Sequence, residues 1–400
     1  MDPSPVSRLH LHRIFRGPAG FLDASARETG ALVRERKITD ASTLLGMLLA
    51  HVCSDYSFKD TAALFGGNGT PSLCASSLHA RFVRAEAWLG RLLSYALTGD
   101  AGEPPAGCRW LRATDASVIN GPRSQGTDWR IHVLADPHSG RICAARVEPA
   151  SVGESATLHP LCGRIASLLD RGYSNAPNVR ALAESGGSFA VRIAPHSIRI
   201  CDGGKRRMDL ARLAQRIPSG EVFETGVRIL LRPRGKARPD WHLTKGIMFV
   251  DARLVGSRLP SGEVMWLLAD AGSTAPAGEL LALYRFRWQI ELLFKRLKSL
   301  AGIGRLKSAK GPCARAWILA KLLMAALAQR LVRPACPEGC AKPDRHSAWS
   351  RLRVACDAIR RIVLGDRVLG LALSEERMRR LMNSPRKRRL QLVPASIRVR

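Results

Sequence analysis

The sequence predicts an α/β chain in which helices precede and follow a mixed sheet core, with a β-rich segment inserted into that core. Three observations carry this expectation. Apolar residues recur at helical spacing through residues 24–100 and again beyond residue 313. From Cys108 the period falls to two, with short apolar runs between turn sequences. The stretch from about Cys201 to Gly272 is punctuated by Gly, Pro and Arg around strand-like Val227–Leu231, Gly246–Val250 and Val264–Leu268. An apolar content of 46% is ample for packed cores, and 400 residues point to two or three units.

In chain order, Ala24–Lys37 and Asp40–Cys53 read as helices, Asp40 standing before Ala41-Ser-Thr as a cap. Ser57–Phe65 reads as a short helix, Gly66-Gly-Asn-Gly-Thr-Pro71 as a break, and Ser72 to Leu97 as a longer helix. Helix, tight break, helix resembles a helix-turn-helix, whose second helix enters the major groove. A plain helical bundle fits these residues equally well. Ala101-Gly-Glu-Pro-Pro-Ala-Gly107 reads as a linker.

Arg109–Ile119, Trp129–Ala135 and Arg141–Val147 then read as strands, with Asp136-Pro-His-Ser-Gly140 as a hairpin turn. Ile165–Leu169 is a short strand ending at Asp170, followed by a helix from Asn178 to Glu184 and a strand over Ser188–Ile193. Helices are expected over Cys313–Val332, Ser347–Val363 and Leu371–Met382, before a basic tail containing Arg386-Lys-Arg-Arg389. The resulting division is a helical region 1–105, a first core part 106–200, an insertion 201–274, a second core part 275–345 and a helical C-terminal region 346–400.

Lys and Arg number 63 against 33 Asp and Glu, a formal net charge of +30 and a pI near 11.0. Charge of that size spread through a globular chain is the footprint of a nucleic-acid binder. No uninterrupted apolar run spans a bilayer, since Trp317–Val332 is broken by Lys321 and Arg330, and Met1-Asp-Pro-Ser-Pro lacks the regions of a signal peptide. A cytoplasmic protein with no membrane partner is expected. The ten Cys are scattered singly and read as small buried hydrophobes. Cys336, Cys340 and His346 form a loose cluster without an obvious fourth zinc ligand.

The most informative stretch runs from Tyr284 to Lys298. On a helical wheel Tyr284, Arg287, Glu291 and Lys298 fall within about 60° of one another. Leu283, Phe286, Ile290, Leu293, Phe294 and Leu297 gather in an adjoining stripe that would face a core. Arg296 falls about 120° from Tyr284, on the outer face. Taken alone, this is also what a basic amphipathic helix with one paired Glu would show.

The spacing of Tyr284, Arg287, Glu291 and Lys298 matches the signature of the insertion-sequence-four family of bacterial transposases, whose catalytic residues are two Asp and one Glu. Thr114-Asp115-Ala116-Ser117 resembles the family's first Asp motif and Leu168-Leu-Asp170-Arg-Gly-Tyr173 its second. Gly126–Gly140 is similar to its second strand and turn, and Leu300–Ser308 also reads like family sequence. The resemblance implies a ribonuclease-H-like core with a β-rich insertion, preceded by a helical DNA-binding domain. It implies cut-and-paste transposition on terminal inverted repeats and target DNA, a homodimer in the synaptic complex, a hairpin intermediate and a nucleoid-associated protein.

Cutting phosphodiesters calls for charge neutralisation and an activated nucleophile, which two hard cations supply. Asp115, Asp170 and Glu291 would hold two Mg²⁺, with Mn²⁺ as a substitute. Without the motifs, Asp128, Asp136, Glu148 and Glu154 compete for the role, Asp136 reading as a turn residue. Arg287 and Lys298 suit phosphate, and Tyr284 a phosphate or displaced base. For stacking a flipped base the candidates are Trp266 and Trp288. The family's stacking Trp lies one position earlier, at Met265 here, and a one-residue shift reverses strand face, so Trp266 is also a core candidate. Two other readings stay open: a catalytically silent end-binding repressor derived from a transposase, and a nuclease with the same core.

Overall fold

The computed structural model describes residues 14–331 and 348–364, apart from 16, 35–36, 54–55, 67–72, 99–109, 125, 127, 155–157, 160–163, 205, 231–248, 305 and 309–310. The cluster of Cys336, Cys340 and His346, the helix over 371–382 and the basic tail lie outside the described residues.

Among the described residues, nine strands form one sheet in the order β3-β2-β1-β4-β5-β9-β8-β7-β6. Strands β1 (Trp110–Ile119), β2 (Trp129–Asp136) and β3 (Arg141–Pro149) are an antiparallel meander. Its turn is built as the sequence suggested: Asp136 accepts the amides of His138 and Ser139, and Gly140 adopts a positive φ. Strand β4 (Ile165–Leu169) runs parallel to β1, and β5 (Ser188–Ile193) parallel to β4. Helix α6 (Ala176–Glu184) connects these two, capped by Asn175 with Pro177 in its first turn.

The inserted strands β6 (Arg199–Cys201), β7 (Val222–Leu230), β8 (Phe249–Arg258) and β9 (Val264–Asp270) do not stand apart. They continue the sheet, because β9 pairs antiparallel with β5. Helix α7 (Leu210–Ala214) lies between β6 and β7 in sequence. One cluster of buried side chains covers this half, with Tyr173, Val179, Phe189, Ile229, Leu254 and Trp266 among its members.

A second cluster holds the helices before and after the sheet: α1 (Phe21–Glu28), α2 (Ala41–Cys53), α3 (Phe58–Gly66), α4 (Ala75–Arg84), α5 (Glu86–Thr98), α8 (Ala277–Tyr284), α9 (Gln289–Ser299), α10 (Gly311–Leu331) and α11 (Ala348–Leu364). Among the strands, β8 reaches well beyond the expected Gly246–Val250 and β7 starts before Val227; among the helices, two boundaries differ most from the sequence reading. Helix α1 closes early, where Gly30 takes a left-handed φ of 73°, and the long helix after residue 72 divides at Ala85. Asp40 caps α2 as expected, accepting the Thr43 amide at 2.7 Å.

The N-terminal helices are packed into this shared core. His51 of α2 stacks on Phe58 at 3.9 Å and meets Trp317 of α10 edge-on at 5.4 Å. Arg330 of α10 donates to the carbonyls of Ala96 and Tyr95, each at 2.8 Å, and to that of Phe15. Helix α10 is long and apolar enough to cross a membrane, and here it is the buried centre of the helical layer. The connection between α3 and α4, where a helix-turn-helix would make its tight break, falls outside the described residues.

Candidate active site

Parallel pairing puts Thr114 of β1 opposite Leu169 of β4, so the residues that follow, Asp115 and Asp170, emerge side by side. Asp115 lies within β1, paired with Val133, and its Oδ1 accepts the Ala116 amide at 2.8 Å. Asp170 ends β4 and precedes a single 3₁₀ turn, Arg171–Tyr173. Helix α9, anchored through Ile290, Leu293, Phe294 and Leu297, brings Glu291 to the same place from its first turn, where the helix dipole favours a carboxylate.

Arg287 joins the three. Its guanidinium lies 3.3 Å from Asp115 Oδ2, 3.8 Å from Asp170 Oδ2 and 2.8 Å from Glu291 Oε1. Side-chain exposure rises across the carboxylates from 13% at Asp115 through 33% at Asp170 to 52% at Glu291, so the site opens toward Glu291. Burial pushes Asp115 up to about 7; the Ala116 amide and Arg287 oppose the shift, while Glu154 and Asp170 add to it. Arg287 is drawn down by burial, and Tyr284, Asp170, Asp115 and Glu291 more than reverse this.

Among the described residues, no three His, Cys, Asp or Glu side chains stand close enough to share one metal ion. The guanidinium occupies the space between these carboxylates. As a donor set they nevertheless suit hard divalent cations, which take carboxylate oxygens and retain water. Among the described residues, Asp170 Oδ1 is buried without a hydrogen-bond partner, an oxygen suited to such an ion.

The signature segment is not one continuous helix. Arg285–Trp288 forms a 3₁₀ turn between α8 and α9. Such a turn winds about 20° more per residue than an α-helix, rotating Tyr284 by roughly 80° relative to Glu291. Tyr284 therefore does not share the exposed stripe. It is buried, and its hydroxyl donates to the Leu169 carbonyl at 3.2 Å, bracing the strand end that carries Asp170. Burial raises its pKa. Its ring lies 5.9 Å from the Arg287 guanidinium.

Lys298 is exposed, two turns beyond Glu291. Trp288 projects from the 3₁₀ turn and is half exposed, an unusual position for so large an apolar side chain. Trp266 is in the core. Paired with Gly256 in the neighbouring strand, it fills the space a Cβ there would occupy, and it meets Phe223 edge-on at 5.9 Å. The one-residue offset from the family pattern thus has its structural consequence, the inward face of β9. Arg296 is also corrected, being buried with its guanidinium against Gly140 in the β2–β3 turn.

Sequence reasoning gave no special standing to Glu154, whose carboxylate rests against Gly172, two residues after Asp170. Nor did it single out the buried hydroxyl of Tyr173. A carboxylate outside the three motifs leaves no local pattern to detect.

Comparison with known proteins identifies the family. The family described as Transposase DDE domain matches residues 106–327, a span that takes in Asp115, Asp170 and Glu291. The InsL protein of insertion sequence element IS186A from Escherichia coli K12 is 29% identical over 346 residues, covering 78% of this chain and 90% of that one. The transposase of insertion sequence element IS421 from Escherichia coli is 28% identical over 347 residues, covering 78% and 91%. A piggyBac transposase synaptic complex with hairpin DNA overlays at a TM-score of 0.47 and 8% identity, across 94% of this chain and 85% of that one, too loosely to argue from. With more than half its length matched, and the three carboxylates inside the matched span, the chain belongs to the Transposase DDE domain family: it is a bacterial insertion-sequence transposase, a divalent-metal enzyme that cuts and transfers DNA strands.

Proposed function

We propose that this transposase excises its own element by cut-and-paste, recognising terminal inverted repeats as a homodimer and joining the freed ends to target DNA. Asp115, Asp170 and Glu291 would hold two Mg²⁺ ions, for which Mn²⁺ can substitute. Bound there, the metal neutralises the attacked phosphate and lowers the pKa of water or of a 3′-hydroxyl. The observation that carries this reading is the convergence of all three carboxylates on Arg287. A decayed, DNA-binding remnant has no reason to keep three acidic groups around one buried cation.

The chain's own side chains divide the remaining work. Arg287 balances the carboxylates in the metal-free protein, and its forked donors then turn to a DNA phosphate once divalent charge takes over that task. Lys298 contacts phosphate farther along the exposed side of α9. Tyr284 positions Asp170 through the Leu169 carbonyl. Trp288, exposed beside Arg287, is the aromatic that stacks on a base displaced during hairpin formation.

The test uses duplexes carrying the repeats that flank the coding region, with Mg²⁺ or Mn²⁺. Wild type should nick and then release the ends, whereas Asp170→Ala should bind them and leave both strands whole. Nicking that survives in Asp170→Ala would remove that residue from the metal site. Nicking without strand joining in wild type would favour the nuclease reading.

A further inference from the structure

We propose that Glu154 is a fourth carboxylate of the divalent-cation site, seated by Gly172 and served by the hydroxyl of Tyr173; the proposal rests on the metal-site reading of Asp115, Asp170 and Glu291. The segment that carries Glu154 out of β3 is tied down. The Ala150 amide donates to the Asp128 carbonyl at 3.0 Å, the Val152 amide to that of Pro149 at 2.9 Å, and Arg130 to that of Val152 at 2.7 Å. Glu154 is thus delivered to a set place, partly buried, against the turn that follows Asp170.

Gly172 makes room for it. A Cβ at that position would stand 3.1 Å from Glu154 Cδ and 3.2 and 3.3 Å from its two oxygens. With any other residue there the carboxylate would have to give way. Tyr173, next in the chain, is fully buried, and among the described residues its hydroxyl has no hydrogen-bond partner. Leaving such a group unsatisfied costs about 1–3 kcal/mol, so the hydroxyl is suited to a polar ligand at this place. Burial raises its pKa, the charges of Glu154, Asp115 and Asp170 add to this, and Arg130 opposes it. A second orphan, Asp170 Oδ1, stands at the other end of the same turn. The Tyr173 hydroxyl is thus an oxygen donor beyond the three motifs, next in the chain to the glycine that seats Glu154.

Mn²⁺ alone is the probe, titrated into the full-length chain and followed by calorimetry and by the electron paramagnetic resonance of the bound ion. Glu154→Gln should weaken Mn²⁺ binding about 10-fold or more, the loss typical of a metal-site carboxylate or its immediate support. Gly172→Ala, which keeps every charge, should move affinity the same way by displacing Glu154, and Tyr173→Phe should do so more weakly. Wild-type affinity in Glu154→Gln, with binding lost in Asp115→Ala and Asp170→Ala, would overturn the fourth carboxylate and leave the metal site standing. Wild-type affinity in all of these variants would instead remove the reading underneath. Should Glu154→Gln fail to fold, Gly172→Ala decides alone: unaltered Mn²⁺ affinity there refutes the proposal.

Discussion

Arg287 and Arg330 are buried to the same degree, and their surroundings could hardly differ more. Arg330 spends its donors on the carbonyls of Phe15, Tyr95 and Ala96, groups that neither ionise nor exchange partners. It clamps the first helices to α10. Arg287 faces Asp115, Asp170 and Glu291, groups that ionise and that suit a divalent cation. Burial of a cation is therefore uninformative until its partners are known. Carbonyl partners make a structural joint; a cluster of carboxylates offers the chemistry of a site whose cation could be exchanged.

The largest effect should separate the two residues. Arg330→Ala strands three carbonyls in the helical core, at a cost on the order of 3 kcal/mol or more. Thermal unfolding should show a lowered Tm with or without Mg²⁺, and residues 1–105 expressed alone should lack a cooperative transition. Arg287→Ala should leave folding near normal in Mg²⁺ and fall sharply only when metal is chelated, because the three carboxylates then repel unshielded. A Tm loss in Arg287→Ala that Mg²⁺ does not reverse would make Arg287 a second Arg330.

Next in size is the effect on processing. Arg287→Ala should bind end DNA within several-fold of wild type and process it at least about 10-fold more slowly, since it acts where charge develops. Lys298→Ala should behave similarly but more mildly. Equal slowing by both would mean that the contacts to the carboxylates add nothing.

The smallest effect concerns pH. Burial lifts Asp115 to about 7, above its ordinary value of 3.8. The folded state therefore holds the proton more tightly, and ionising Asp115 costs stability as pH climbs from about 4 to 7. Metal-free wild type should lose Tm across that window relative to Asp115→Asn. A divalent cation binds the ionised form, so Mg²⁺ should stabilise wild type more at pH 8 than at pH 6. A Mg²⁺ effect that is flat with pH would place the ion away from Asp115.

How much of this was legible in the sequence depended on whether the information was local. Alternation and turn chemistry placed β1 to β5 within a residue or two, whereas Asp115 and Asp170 stood out from the neighbouring carboxylates only through their resemblance to the family motifs. Glu291 was legible through spacing. Tyr284 was misjudged because a wheel assumes one winding, and the 3₁₀ turn at Arg285–Trp288 breaks it. Arg296 was misjudged because the Gly140 turn that covers it is distant in sequence. Arg330 gave no signal, since its partners are carbonyls up to 315 residues away. That the inserted strands extend the core sheet is likewise a matter of β9 meeting β5, which composition does not encode.

Whether Asp115, Asp170 and Glu291 together bind one catalytic ion can be read by loading Fe²⁺ in place of Mg²⁺. With ascorbate and peroxide, the bound iron releases hydroxyl radicals that cut the nearby backbone, and mass spectrometry locates the breaks. Cuts are expected around residues 115, 170 and 291, all suppressed by excess Mg²⁺. Cuts that miss one of the three sites, or that Mg²⁺ does not suppress, would contradict that shared site.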